Sequence, residues 1–98
     1  MSMLHIVNKS PYERNSLAAA AGHMKDGDTL LLIEDGVYAV VKGGAAASEL
    51  DGKTVSVLGA DLAARGIGVD KLIDGVSVVD YAGFVDLVET TDKSQSWL

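Results

Sequence analysis

Glu34 and Asp35 stand side by side before Gly36 at the end of an apolar run, and two adjacent carboxylates could serve as an acid/base pair or as ligands to a magnesium ion. Strand alternation sends successive side chains in different directions, however, so an adjacent pair is a weak motif. The plainer reading of Glu34-Asp35-Gly36 is a turn, with Asp35 capping it and Gly36 supplying a permissive backbone. Gly43-Gly44, followed by small residues and Ser48, fits neither G-x-G-x-x-G nor G-x-x-x-x-G-K-[ST], so it reads as a flexible connection and not as a phosphate cradle. His5 and His23 lack the spacing of metal ligands, and no G-x-S-x-G elbow raises Ser10 or Ser16 as a nucleophile. Asp61 and Arg65, four apart on an expected helix, suit a surface ion pair worth a few tenths of a kcal/mol. No metal and no cofactor is expected from these groups.

The residue type that is missing says as much. There is no cysteine among the 98 residues, which excludes disulfides, thiolate metal sites, redox dithiols and a cysteine nucleophile together. Acidic residues outnumber basic ones by 14 to 8, for a net charge of −6, and the basic ones are scattered. Nothing in that distribution could track a phosphate backbone or an anionic membrane, so direct binding of nucleic acid or membrane is not expected. Apolar runs such as Leu30 to Ile33 are far too short to span a bilayer, and the first residues carry neither a cationic region nor an apolar signal core. A cytoplasmic location follows as the expectation.

The elements that must position these residues can be read from hydrophobic patterning. A chain of 98 residues that is 48% hydrophobic suits one domain, read here over residues 3–98. Met3–Val7, Thr29–Ile33, Thr54–Leu58 and Val76–Val79 are short Val/Ile/Leu segments expected as strands. The unbroken run in the second suits a strand covered on both faces, while the partial alternation of the last two places them nearer an edge. Ser10-Pro11 can open a helix whose apolar face is Leu17, Ala20, Ala21 and Met24, closed by Gly22 or Gly27. Val37–Lys42 is expected as a short helical or irregular passage, and Ala45–Leu50 as a further turn or two. Asp61–Arg65 reads as a short helix with Gly66 past its end, and Asp80 can cap a helix carrying Tyr81, Phe84, Val85 and Val88 on one face. Strands alternating with helices predict a small three-layer α/β/α domain with a mostly parallel sheet of four to five strands. Ligands of such sheets gather beyond the carboxyl ends of the strands, here the loops that start at Asn8, Glu34, Gly59 and Asp80. Tyr12, Val37, Tyr38, Val40 and Val41 lie outside the expected strands, and Trp97 follows the polar stretch Thr90–Ser96. Such a tryptophan either docks on its own core or anchors an interface; Tyr38, Val41 and Trp97 are the candidate interface anchors.

These pieces carry a resemblance. Leu4-His5 with Lys9-Ser10-Pro11, Gly27-Asp28 leading into Leu30-Leu31-Leu32 and Asp35-Gly36-Val37, Asp61 to Gly66, Asp80-Tyr81 with Phe84-Val85-Asp86-Leu87, and Gln95-Ser96-Trp97 occur in an order that resembles the DsrH/TusB family from residue 3 to 98. Val7 to Leu17 and Val78 to Leu87 lean toward the DsrH branch of sulfur-oxidising bacteria. The resemblance implies the DsrEFH-like fold and a subunit of a cytoplasmic sulfur-relay complex. In that complex the chain joins a DsrE/TusD-like and a DsrF/TusC-like subunit in a heterohexamer with two copies of each. The DsrE/TusD subunit forms the persulfide and passes sulfur to a DsrC/TusE-like carrier. The sulfur serves oxidation of stored sulfur in one branch and 2-thiouridine at the wobble base of transfer RNA in the other.

The chain departs from the family at one informative place. Some members carry a cysteine three residues past the leucine of an Arg-Asn-Ser-Leu motif, and here Ala20 holds that position after Arg14-Asn15-Ser16-Leu17. Sulfane transfer needs a thiolate and a persulfide-forming sulfur, and alanine supplies neither. The expected role is therefore a non-catalytic, assembly-forming subunit. The connection from Gly43 to Lys53 is also shorter than is usual for the family. A reading from a different class is a freestanding small α/β module that binds a nucleotide-like ligand through the loops after Glu34 and Gly59; the acidic balance and the missing phosphate motif weigh against it. A hydrolase or transferase built on Glu34 or Asp35 has the least support.

Overall fold

The computed structural model describes residues 3–10, 12, 16–25, 27–44, 50, 52–91 and 93–97. Its centre is one sheet of five strands, β1 (Met3–Val7), β2 (Thr29–Leu32), β3 (Thr54–Leu58), β4 (Val76–Val79) and β5 (Lys93–Trp97), in the order β4-β3-β2-β1-β5. Every neighbouring pair is parallel. Three α-helices, α1 (Ser16–His23), α2 (Gly59–Ala64) and α3 (Tyr81–Thr90), connect the strands with the help of 3₁₀ helices at Glu34–Val40 and Val69–Lys71. No described helix is long and apolar enough to cross a membrane.

Strand alternation divides the sheet into two faces. One carries Val7, Leu30, Leu32, Val55 and Val57, which join Leu17, Ala20, Val37, Val40 and Leu62 in the main core. The chain steps from β1 to β4 in a single direction, so right-handed crossovers lay α1, the long 3₁₀ helix and α2 on that face. The last crossover runs from one edge of the sheet back to the other and must lie on the opposite face, where Leu4, Leu31 and Leu58 are buried. Gly83 of α3 sits on that side, so close that a β-carbon on it would come within 2.9 Å of Val79 Cβ. The three-layer arrangement expected from the sequence is present.

The first four strands coincide with the four expected segments, β2 ending one residue early at Leu32. β3 is not near an edge: it lies between β2 and β4, and its apparent alternation comes from Ser56, a small side chain that is itself buried. β5 has no apolar pattern to announce it. Its Lys-Ser-Gln-Ser backbone adds to β1 at the edge, with Trp97 level with Val7. Ser10 Oγ accepts the Tyr12 amide at 3.2 Å, the contact a capping serine makes two residues on, and α1 is described from Ser16; residues 13–15 between them lie outside the described residues. Pro11, and the expected helical turn at residues 45–49, lie outside the described residues; Leu50 next to the latter is buried in the core.

Two helix ends are built as their residues require. Asp80 is the N-cap of α3, its Oδ1 accepting the Gly83 amide at 2.8 Å. After α2 the amide of Gly66 bonds Ala63 O and that of Ile67 bonds Leu62 O, while Gly66 takes φ +68°; this is a Schellman ending, which favours glycine.

Candidate functional site

At the carboxyl end of the sheet, the chain leaves β2 through Glu34-Asp35-Gly36, and each of these residues is already engaged. Glu34 adopts φ +49°, a left-handed conformation that costs a non-glycine residue energy, and its amide donates to Asp61 Oδ2 at 2.7 Å. Asp35 accepts from Arg65 Nε at 3.0 Å, and the same guanidinium donates to Asp61 O at 3.1 Å. Gly36 is needed because a β-carbon there would run into Val7 O. Asp61 and Arg65 thus form more than a helix-surface pair: with Asp35 they pin the start of α2 to the turn after β2. The Glu34 and Asp35 side chains are exposed. Among the described residues no group of three metal-ligating side chains comes together. Asn8, where β1 ends, leaves its buried Oδ1 without a hydrogen-bond donor. A neighbouring cleft of about 580 Å³ between the ends of β3 and β4 is lined by Gly59, Ala60, Val78, Val79, Asp80, Tyr81 and Gly83. Its one carboxylate, Asp80, is the helix cap.

A histidine–carboxylate pair does exist, deep in the molecule. His5 Nε2 lies 3.0 Å from Asp28 Oδ2, and Trp97 Nε1 donates to His5 Nδ1 at 3.1 Å. Since the indole can only donate, Nδ1 is the bare nitrogen, and Nε2 carries the hydrogen given to Asp28. A carboxylate on one imidazole nitrogen is the arrangement that orients a general base, but a general base needs its other nitrogen free. Here that nitrogen is occupied and His5 is only 1% exposed. Asp28 also accepts the amides of Lys25 at 3.0 Å and Met3 at 2.9 Å. Its carboxyl is held below the usual carboxylate value, first by the Lys25 amide and then by His5, with the Met3 amide adding to them and burial opposing. This network ties β1, the turn before β2 and the end of β5 together, which is structural work.

The position where some family members have cysteine, Ala20, is fully buried on the inner side of α1. Tyr38 is 36% exposed on the long 3₁₀ helix, whereas Val41 is half-buried and bridges Leu72. Trp97 is half-buried, packs against the main core, and has its ring 6.0 Å from that of His5 and 5.1 Å from that of His23. The structure therefore brings Trp97 and His5 together, sets Glu34, Asp35 and Gly36 at the α2 junction with Tyr38 on the same 3₁₀ helix, and places Val41 at its bridge to Leu72.

Sequence reasoning placed Tyr81, Phe84, Val85 and Val88 on one apolar face of α3, and the structure divides them by exposure. Phe84 is half-buried, but Tyr81, Val85 and Val88 are 64%, 53% and 41% exposed. Their apolar periodicity was visible, but periodicity does not say whether the chain's own sheet or something else covers the stripe.

Comparison with known proteins accords with this architecture. A family model described as "DsrH like protein" matches residues 9–94. Protein TusB of Sodalis glossinidius (strain morsitans) is 35% identical over 97% of this chain and 100% of its own length. Protein TusB of Escherichia coli (strain K12) is 33% identical over the same shares. Among solved structures, the ychN protein from E. coli superposes with a TM-score of 0.80 at 23% identity, covering 98% of this chain and 99% of that one. A protein of unknown function from Methanobacterium thermoautotrophicum gives 0.73 at 15% identity, covering 97% of each chain. At those identities the solved structures speak for the fold alone. The family model and the full-length relatives go further, and by them the chain belongs to the DsrH/TusB family.

Proposed function

We propose that the chain is a non-catalytic subunit of a cytoplasmic sulfur-relay complex, assembled with DsrE/TusD-like and DsrF/TusC-like subunits as a heterohexamer. In this reading a DsrE/TusD-like subunit supplies the persulfide-forming cysteine and hands its sulfur to a DsrC/TusE-like carrier. The relatives named TusB favour delivery to wobble-uridine 2-thiolation of transfer RNA, and the lean of Val7 to Leu17 toward the DsrH branch favours sulfur oxidation. The subunit's own contribution is surface and shape.

The observation that carries the reading is the absence of cysteine from a chain that matches the whole length of its TusB relatives, joined to the burial of Ala20. A relay step requires a thiolate that another protein can reach. This chain has no thiol, and Ala20, where some family members carry cysteine, is buried in the main core. His5, the residue best arranged to activate a nucleophile, is sealed and fully hydrogen-bonded.

The test is reconstitution with labelled sulfane sulfur from a cysteine desulfurase. Label should appear on the DsrE/TusD-like subunit and pass to the carrier only when this chain is present, and never on this chain. Equal transfer without it would overturn the reading.

A further inference from the structure

We infer that the outer side of α3 and the open edge of β4 form the docking surface for a different protein, one that presents an apolar centre ringed by Lys and Arg. The inference deepens the proposed function, on which it rests, by assigning the contact surface and the chemistry of its partner.

An amphipathic helix in a self-sufficient domain turns its apolar side inward. No residue of α3 is buried, and Tyr81, Val85 and Val88, at i, i+4 and i+7, make one exposed stripe along it. Val78 on the adjoining strand is 44% exposed. Val78 and Tyr81 line the same cleft of about 580 Å³, so the strand edge and the first residue of the helix stripe meet at a recess that can take a side-chain anchor. Among the described residues β4 pairs with β3 alone, which leaves the other side of its backbone open. Three large apolar groups in one stripe, with Val78 sharing the cleft at its Tyr81 end, are an interaction surface and not the scattered exposure of an ordinary monomer.

Charge selects the occupant. α3 carries Asp86 and Glu89 and no basic residue, and Asp74 and Asp80 flank β4; all four are exposed. A second copy would set this acidic rim against its own image, in a chain whose net charge is already −6. A partner with basic residues around an apolar knob turns the same rim into attraction and faster encounter. The surface therefore fits a different chain.

The experiment is co-expression with the DsrE/TusD-like and DsrF/TusC-like subunits, followed by size exclusion and a binding titration at two salt concentrations. Tyr81→Ser with Val85→Ser removes the apolar centre, Asp86→Lys with Glu89→Lys reverses the rim, and Tyr12→Ser alters an exposed aromatic elsewhere. Wild type and Tyr12→Ser should assemble. The serine pair should lose roughly tenfold or more in affinity with its melting temperature held, and the lysine pair should lose both affinity and the weakening by salt. Assembly of the serine pair at wild-type strength would overturn this surface and leave the sulfur-relay reading standing. Wild type that fails to assemble overturns both. Low-salt self-association of the wild type that the serine pair abolishes would make the occupant a second copy and refute the inference.

Discussion

Asp28 is the residue on which most of the buried polar network depends. It accepts from two amides and from His5, while the other nitrogen of His5 is taken by Trp97. Each hydrogen bond to the charged carboxylate is worth about 1.5–3 kcal/mol when the partners are buried. The folded carboxyl binds its proton less readily than the unfolded one, so its contribution is complete above the unfolded value and is lost as pH falls through the lowered folded value. Wild type should therefore lose stability from about pH 4 downward, the usual aspartate range. Asp28→Asn should be less stable at neutral pH by about 2 kcal/mol and should show a flatter acid limb in urea titrations, since the amide has no such proton to take up. Parallel profiles for the two proteins would assign the acid limb to other carboxylates. Little of this was legible beforehand: His5 and Asp28 are 23 residues apart, and Trp97 is 92 from His5. Only the parallel register of β1 with β2 and β5 brings them into reach.

At the scale of elements, local chemistry was legible where an end is fixed by neighbouring residues. Asp80 was expected to cap α3 and Gly66 to follow α2, and both do so through hydrogen bonds within the same few residues. Asp80→Ala should destabilise the chain by about 1 kcal/mol, because the Gly83 amide loses its acceptor at a helix start. Asp80→Asn should recover most of that loss in thermal or urea unfolding, because the cap needs an acceptor oxygen more than a charge. Full loss in the asparagine variant would mean that charge at the start of α3 matters more than the cap. β5 was not legible for the opposite reason. It has no apolar alternation, and its place is decided by β1, whose free side it covers. The junction of α2 with the turn after β2 lay between these cases: Asp61 and Arg65 were readable as a pair, but Asp35 joins them from 30 residues away from Arg65.

As a whole molecule, the sheet has two edges of different character. β5 is polar apart from Trp97 and carries Lys93, the sort of edge that discourages pairing with another sheet. β4 is Val-Ser-Val-Val with Val78 exposed, and the apolar stripe of α3 lies beside it. A chain made without its partners must hold that edge in solution, and a net charge of −6 is what keeps copies apart at low ionic strength. At 1 M salt the screening length falls to about 3 Å, shorter than any approach distance between two such edges, so repulsion disappears while apolar attraction remains. The isolated chain should then show light scattering that rises with salt and protein concentration. Val78→Lys places a charge on the open edge, where the side chain is already 44% exposed, and should suppress that rise while leaving the melting temperature within a degree or two of wild type. Ser94→Lys on β5, a comparable charge on the opposite edge, should suppress it much less. Equal protection from the two lysines would mean that added charge anywhere is enough, and that the edge of β4 has no special part in association.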